Sequence, residues 1–401
     1  MKKITNITLY LYIIGVFFSP YYSGKRTLYL TLFFGMLFSF WVLFSIWKEK
    51  RTVRFNYFLI LYFIFLIVCT FSYFYAIDKG YVLAILTNIF PLFIVCFGLY
   101  NYLKSWEDIR YFLKCYITVA VISCVISLLF YDFTEITRET LMGGPNSAAI
   151  RLSFAIFYII LLFFLEQKMI ILLSLPIILS VILLTMSVKT IIFLVIFFSC
   201  TFFVYILKRV SFKKKSKRKL FLIVSLLFII LIIFASQIEF FNLSFWRVDA
   251  KIQKYIIEKE FGLRGELIED GLFLFKQRPL LGFGINNFRE YYGSKTGLYT
   301  YTHNNFLELL VGVGLLGFFI YYSIYIISFY LLIKKYFKTK QDIYLLFNLV
   351  LIGFFFIGFT QQTYWIVSVK LFFTVMTRCL FINKIPGSIE TIIKKKSKIY
   401  N

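Results

Sequence analysis

Long apolar runs, interrupted by short clusters of Lys, Arg, Gly and Pro, dominate this chain. A run of about 20 apolar residues can cross a bilayer as a helix. Lipid offers no partner to the backbone, so each run must satisfy its own hydrogen bonds. The pattern predicts spans at residues 7–23, 27–47, 55–77, 81–100, 111–131, 146–165, 168–186, 189–208, 219–237, 305–333, 343–361 and 363–382, about twelve in all. The abundant Ile, Phe and Tyr would favour strands in water, but helix is expected throughout. The first run follows Lys2 and Lys3 as a signal peptide would, yet no small-x-small cleavage site comes after it, so it reads as a retained span.

The polar breaks alternate in charge. Basic residues fill every second connection: Lys48, Lys50, Arg51 and Arg54; Lys104, Arg110 and Lys114; Lys168; the 213–219 run; and Lys334, Lys335, Lys338 and Lys340. Both termini fall on that same side, which places them in the cytoplasm. The opposite connections are short and poor in Lys and Arg apart from Lys25 and Arg26, with one exception. From about Gln237 to Thr302 the chain leaves the membrane on the outer side, in a loop too long to be a mere connector. Within it Val248, Ile252, Tyr255 and Ile256 recur at helical spacing, as in an amphipathic helix on the membrane surface. Leu267 to Phe275 is a second helical or re-entrant segment, and Pro279-Leu280-Leu281-Gly282-Phe283-Gly284 breaks the pattern.

The expectation is an all-α integral membrane protein. It comprises an N-terminal bundle over 1–237, a large extracytoplasmic loop over 238–304, further membrane helices over 305–382, and a basic cytoplasmic tail over 383–401. Composition agrees: 61% of residues are hydrophobic, 53 are Phe, and the mean hydropathy is +0.83, which excludes an ordinary soluble domain.

A net charge of +25 would suggest a nucleic-acid partner in a soluble protein. Here the densest basic run, 213–219, joins two spans, where such residues hold a loop in the cytoplasm and meet anionic headgroups. The expected partner is therefore the lipid bilayer, not nucleic acid. The six cysteines lie in or beside apolar runs without CxxC spacing, so neither disulfides nor a metal site is indicated. Gly282-Phe283-Gly284 lacks the GK[ST] of a nucleotide loop. Glu269-Asp270 is one adjacent acidic pair, and neither a metal nor another cofactor is expected.

His303 is the chain's only histidine and the one side chain that exchanges protons near neutral pH. It is either a polar residue resting at the membrane interface or the centre of acid-base chemistry. Arg151 and Lys189 stand near the outer ends of spans, and Arg264, Arg278 and Arg289 stand in the loop. Such cations either snorkel to headgroups or gather as an anion site, with arginine suited to bidentate phosphate contacts.

The order of motifs then matters. Arg264, the turn Pro279-Leu280-Leu281-Gly282-Phe283-Gly284-Ile285-Asn286-Asn287-Phe288, the stretch His303-Asn304-x-Phe306-Leu307-Glu308, and Gly314-Leu315-Leu316-Gly317 together resemble the O-antigen ligase and polymerase family. Upstream, Gly144-Pro145-Asn146 and Ser187-Val188-Lys189-Thr190 are similar to two further elements of that family. Val188 is an extra residue between Ser187 and Lys189, and Gly312 stands where relatives often place a glutamate.

The resemblance implies a metal-independent glycosyltransferase of GT-C type in the bacterial plasma membrane. Its donor would be a glycan on undecaprenyl pyrophosphate, and a flippase and a chain-length regulator of the same pathway would be further partners. His303 would be the base for the acceptor hydroxyl or would orient the acceptor, and Arg264 would contact the pyrophosphate. Lys189, Arg151, Arg278, Arg289, Asn304 and Glu308 would assist in holding substrate. A polymerase, which adds the chain to the next lipid-linked repeat, is expected because the sequence stops soon after its last span. A ligase, which moves a finished glycan to another lipid or protein, remains the alternative, and a flippase is the rival from another class.

Overall fold

The computed structural model describes residues 1–18, 25–130, 144–166, 168–207 and 262–382. The span expected at 219–237 and the amphipathic helix expected at 248–256 lie outside these residues. Among the described residues every regular element is a helix. The long elements are α1 (Lys2–Phe18), α2 (Lys25–Lys48), α3 (Tyr57–Phe71), α4 (Lys79–Tyr102), α5 (Trp106–Leu129), α6 (Pro145–Glu166), α7 (Leu175–Leu184) and α8 (Val188–Leu207). Then come α9 (Leu263–Gln277), α10 (Phe288–Thr296), α11 (Asn305–Thr339), α12 (Ile343–Ile357) and α13 (Val367–Phe381).

Among the described residues six helical stretches are long and apolar enough to cross a membrane: Tyr29–Lys48, Tyr57–Phe74, Lys79–Tyr102, Trp106–Leu129, Pro145–Phe163 and Asn305–Thr339. This fits an integral membrane protein. Three of the expected spans, around 168–186, 189–208 and 343–361, contain shorter apolar helices instead. All six cysteines are free, and five of them are buried.

Side-chain oxygens start several helices where the sequence supplies them. Asn56 caps α3 by accepting from Leu59 N at 2.8 Å, and Ser105 with Asp108 forms a capping box on α5. The packing places α13 at the centre, against α3, α4, α6 and α11. Its residues are buried without a gap from Ser368 to Leu380. A helix enclosed on every side is expected to be apolar all round, yet α13 carries Lys370, Thr374, Thr377 and Arg378. Arg378 accounts for itself, because its guanidinium donates to the carbonyls of Leu103 and Lys104 just beyond α4.

Contacts divide the bundle into two ends. At one, Lys2 pairs with Asp108, Lys104 with Glu49, and Arg110 with Glu166. At the other, the turn between α9 and α10 meets the start of α11 and the connection from α3 to α4. There Ile285 N donates to Ser72 Oγ at 3.1 Å and Asp78 N to Asn287 Oδ1 at 2.6 Å.

Candidate functional site

The site end is shaped by a break in α11. Gly314 has φ 62° and ψ −167°, a conformation essentially confined to glycine. The half-helix 305–313 precedes the break, and a membrane-length piece, 315–339, follows it. Into the break fits the turn after α9. Phe283 N donates to Val311 O and Gly284 N to Gly312 O, both at 2.8 Å, while Leu315 N returns a bond to Pro279 O, also at 2.8 Å. The half-helix faces two ways: Leu307 and Val311 join Leu267, Leu274, Phe288 and Tyr292 in a small separate core, and Leu309 and Val313 join the main core. The turn that breaks the sequence pattern is thus the piece that aligns α9, α10 and the start of α11.

His303 sits at that start, half-buried, with a positive φ of 54°. Histidine is among the few residues that enter this region with some frequency. The next two residues fix the chain beneath it. Asn304 caps the helix, its Oδ1 accepting from Phe306 N at 2.9 Å and Leu307 N at 3.2 Å. Asn305 clamps the segment between α12 and α13: its Oδ1 accepts from Thr363 N at 2.6 Å and Tyr364 N at 3.1 Å, and its own N donates to Gly358 O at 2.7 Å. The imidazole packs on Tyr301, ring centroids 4.1 Å apart, and the Arg289 guanidinium lies 5.8 Å from the centre of the same ring.

Burial, and then the positive charges of Arg264, Lys189 and Arg289, lower the His303 pKa from 6.5 to about 4. Cations far apart in sequence, on α8, α9 and α10, therefore act on one imidazole. A group whose folded pKa lies below its unfolded value destabilises the fold when it is forced to charge. The stability at stake is intact above about pH 6.5 and is lost as pH falls toward about 4. Because the chain has one histidine, labelling histidine with ¹⁵N gives one imidazole to titrate. Its midpoint is expected near 4, and one near 6.5 would mean that the imidazole is neither buried nor exposed to these cations as described.

The upstream motifs meet here too. Ser187 Oγ donates to Asn146 Oδ1 at 2.9 Å, joining the starts of α6 and α8. Lys189 is half-buried and donates to Gln361 Oε1. The extra Val188 therefore leaves the lysine facing the site.

Other candidates are placed differently. Arg151 is buried in α6, beside Tyr116, which accounts for one of its neighbours but not for an anion-binding role. Arg278 is exposed and stacks over Phe283 at 4.8 Å from the ring centre; neither it nor Arg151 is among the charges that act on His303. Glu308 is 1% exposed, and its Oε2 accepts from both Thr302 N and Thr302 Oγ1 at 3.0 Å. Its other oxygen, Gln362 Nε2 and Tyr364 Oη are buried without hydrogen-bond partners among the described residues.

Sequence reasoning missed Tyr301, Asn305, Gln361 and Gln362. Asn305 and Tyr301 lie within two residues of His303, so adjacency was their only signal. Gln361-Gln362, a polar pair in a short break between apolar runs, was the readable hint for the others. Among the described residues no group of three or more His, Cys, Asp or Glu side chains is placed to hold a metal ion.

Residues 173–322 match the model of a family described as O-antigen ligase, a stretch that includes Lys189, Arg264, Arg289, His303 and the broken half of α11. No curated protein matches the chain.

Proposed function

We infer that this chain, whose residues 173–322 are similar to the O-antigen ligase family, is a bacterial plasma-membrane glycosyltransferase. In this reading it extends a surface polysaccharide by moving a glycan from undecaprenyl pyrophosphate to the next lipid-linked repeat unit. The observation that carries the reading is that Lys189, Arg264 and Arg289, from three separate helices, all bear electrostatically on the one half-buried imidazole, which packs on the Tyr301 ring that Arg289 also faces.

The chemistry follows from those groups. An acceptor hydroxyl attacks the anomeric carbon, and the bond from that carbon to the pyrophosphate oxygen breaks. The proton passes to His303, which is neutral at pH 7; the negative charge of a bound pyrophosphate offsets the cations that lower its pKa and so makes it a better base. Charge developing on the departing pyrophosphate is met by cations already in place, which need little reorganisation as the bond breaks. Arginine at 264 and 289 suits two-pronged phosphate contacts, and Lys189 acts as a point charge. Departure of the leaving group opposite the incoming hydroxyl gives inversion.

The two-ended distribution of polar groups supports the orientation. Lys104, Arg110 and the basic end of α11 belong to the end away from His303, and in this reading that end is the cytoplasmic one, with the termini inside and the site outside. A ligase reading is favoured by the family's own description, and one reconstitution separates the two. Purified protein in vesicles given only undecaprenyl-pyrophosphate-linked repeat units is expected to produce a ladder of longer lipid-linked chains. If a ladder never forms but added lipid acceptor becomes glycosylated, the protein is a ligase. Movement of the lipid across the bilayer with no new bond would leave only the transporter reading.

A further inference from the structure

We propose that Lys370 is a positioning residue for the transfer site, acting through Tyr321 and Thr363 on Asn305 and thereby on His303. The inference rests on the transferase reading above.

Lys370 is 1% exposed and lies in the first turns of α13, the enclosed central helix. Its placement is unfavourable twice over. A buried ammonium loses its hydration, and a cation near a helix N-terminus opposes the helix dipole. No Asp or Glu is ion-paired with it among the described residues. Aromatic faces take that place: its Nζ lies 4.4 Å from the Tyr321 ring centre and 5.1 Å from that of Tyr62. Ionisable groups held inside a membrane bundle at such a cost tend to serve the site they reach.

What Lys370 reaches is the floor of the site. Its Nζ donates to Tyr321 Oη at 3.4 Å, and Tyr321 Oη is 3.3 Å from Thr363 Oγ1. The lysine ammonium has donors only, so the tyrosine oxygen accepts from it, and one hydrogen, from either hydroxyl, joins Tyr321 Oη to Thr363 Oγ1. Thr363 N in turn donates to Asn305 Oδ1, two residues from His303. The same segment supplies Gln361, the partner of Lys189. Lys370 thus stands at one end of a chain of polar contacts whose other end lies between His303 and Lys189.

The test compares Lys370→Met with Tyr321→Phe in the full chain, reconstituted with undecaprenyl-pyrophosphate-linked repeat units. The first removes the cation and keeps apolar volume; the second keeps the ring and removes only the hydroxyl. Both are expected to lower kcat at least tenfold with KM within twofold of the parent, and the double variant is expected to be no slower than the worse single one. The melting temperature of Lys370→Met should hold or rise, since an apolar side chain replaces a buried charge. The ¹⁵N signal of His303, which needs no turnover, is expected to move in both variants. Unchanged kcat together with an unmoved His303 signal overturns the proposal, as does a lowered melting temperature with parental kcat. An inactive parent chain would instead count against the transferase reading, leaving the histidine signal to decide the coupling.

Discussion

His303→Gln is expected to slow glycan transfer by about 100- to 10,000-fold, the usual worth of a positioned general base, with little change in melting temperature. Glutamine is close in size and polar, but it cannot take up the proton released by the acceptor hydroxyl. The folding cost is small because the imidazole is only half-buried and makes no side-chain hydrogen bond that holds the loop; Asn304 and Asn305 do that work. The backbone conformation at 303, φ 54°, is somewhat less favourable for glutamine, a cost of roughly 1 kcal/mol. Initial rates in vesicles, beside melting curves of the same preparations, check the prediction. A rate within tenfold of the parent would mean that the cations carry the reaction and that His303 is not its base.

Gly314→Ala is expected to abolish activity by a different route, through the fold of the site. A Cβ at 314 would meet Leu280 O at 2.2 Å, Leu280 C at 2.3 Å and Leu281 N at 2.5 Å, all backbone atoms with no rotamer to change. The φ of 62° and ψ of −167° are closed to alanine as well. The turn must leave the break, losing the bonds from Leu315 N to Pro279 O and Leu316 N to Leu280 O. Strain of this kind costs on the order of 1–3 kcal/mol before the displaced contacts are counted, so the melting temperature should fall together with transfer. Gly297→Ala is the comparison. Gly297 also has a positive φ, 80°, but nothing lies within 4 Å of its Cβ position. It should show the conformational cost without the collision, and activity should survive. Equal effects at the two positions would mean that the turn is not seated in α11 as described.

These two positions show how unevenly the molecule was legible. His303 stood out as a candidate because it is unique and opens a recognisable stretch, and Arg264 and Lys189 because charges near apolar runs are conspicuous. That Arg264, Lys189 and Arg289 act on one imidazole, whereas Arg151 and Arg278 do not, had no signal in spacing. Their distance depends on how α6, α8, α9 and α10 pack. Gly314 read as part of an apolar span, because a break made by one glycine leaves hydropathy unchanged.

The sequence by itself determined that the described chain is helical and suited to a membrane, since apolar runs of bilayer length leave the backbone few other solutions. It determined where the turn after α9 falls, because Pro and Gly act locally. It also indicated that the cysteines are unbridged, and five of the six lie in the core. Only the tertiary structure decided which cations act on one imidazole, that Asn305 ties His303 to the segment before α13, and that an enclosed helix carries Lys370. The physical reason is that hydropathy reports the preference of each segment for lipid, and inside lipid that preference no longer distinguishes one neighbour from another. The choice among neighbours falls to backbone hydrogen bonds, close glycine contacts and a few buried polar groups, whose partners lie far away along the chain.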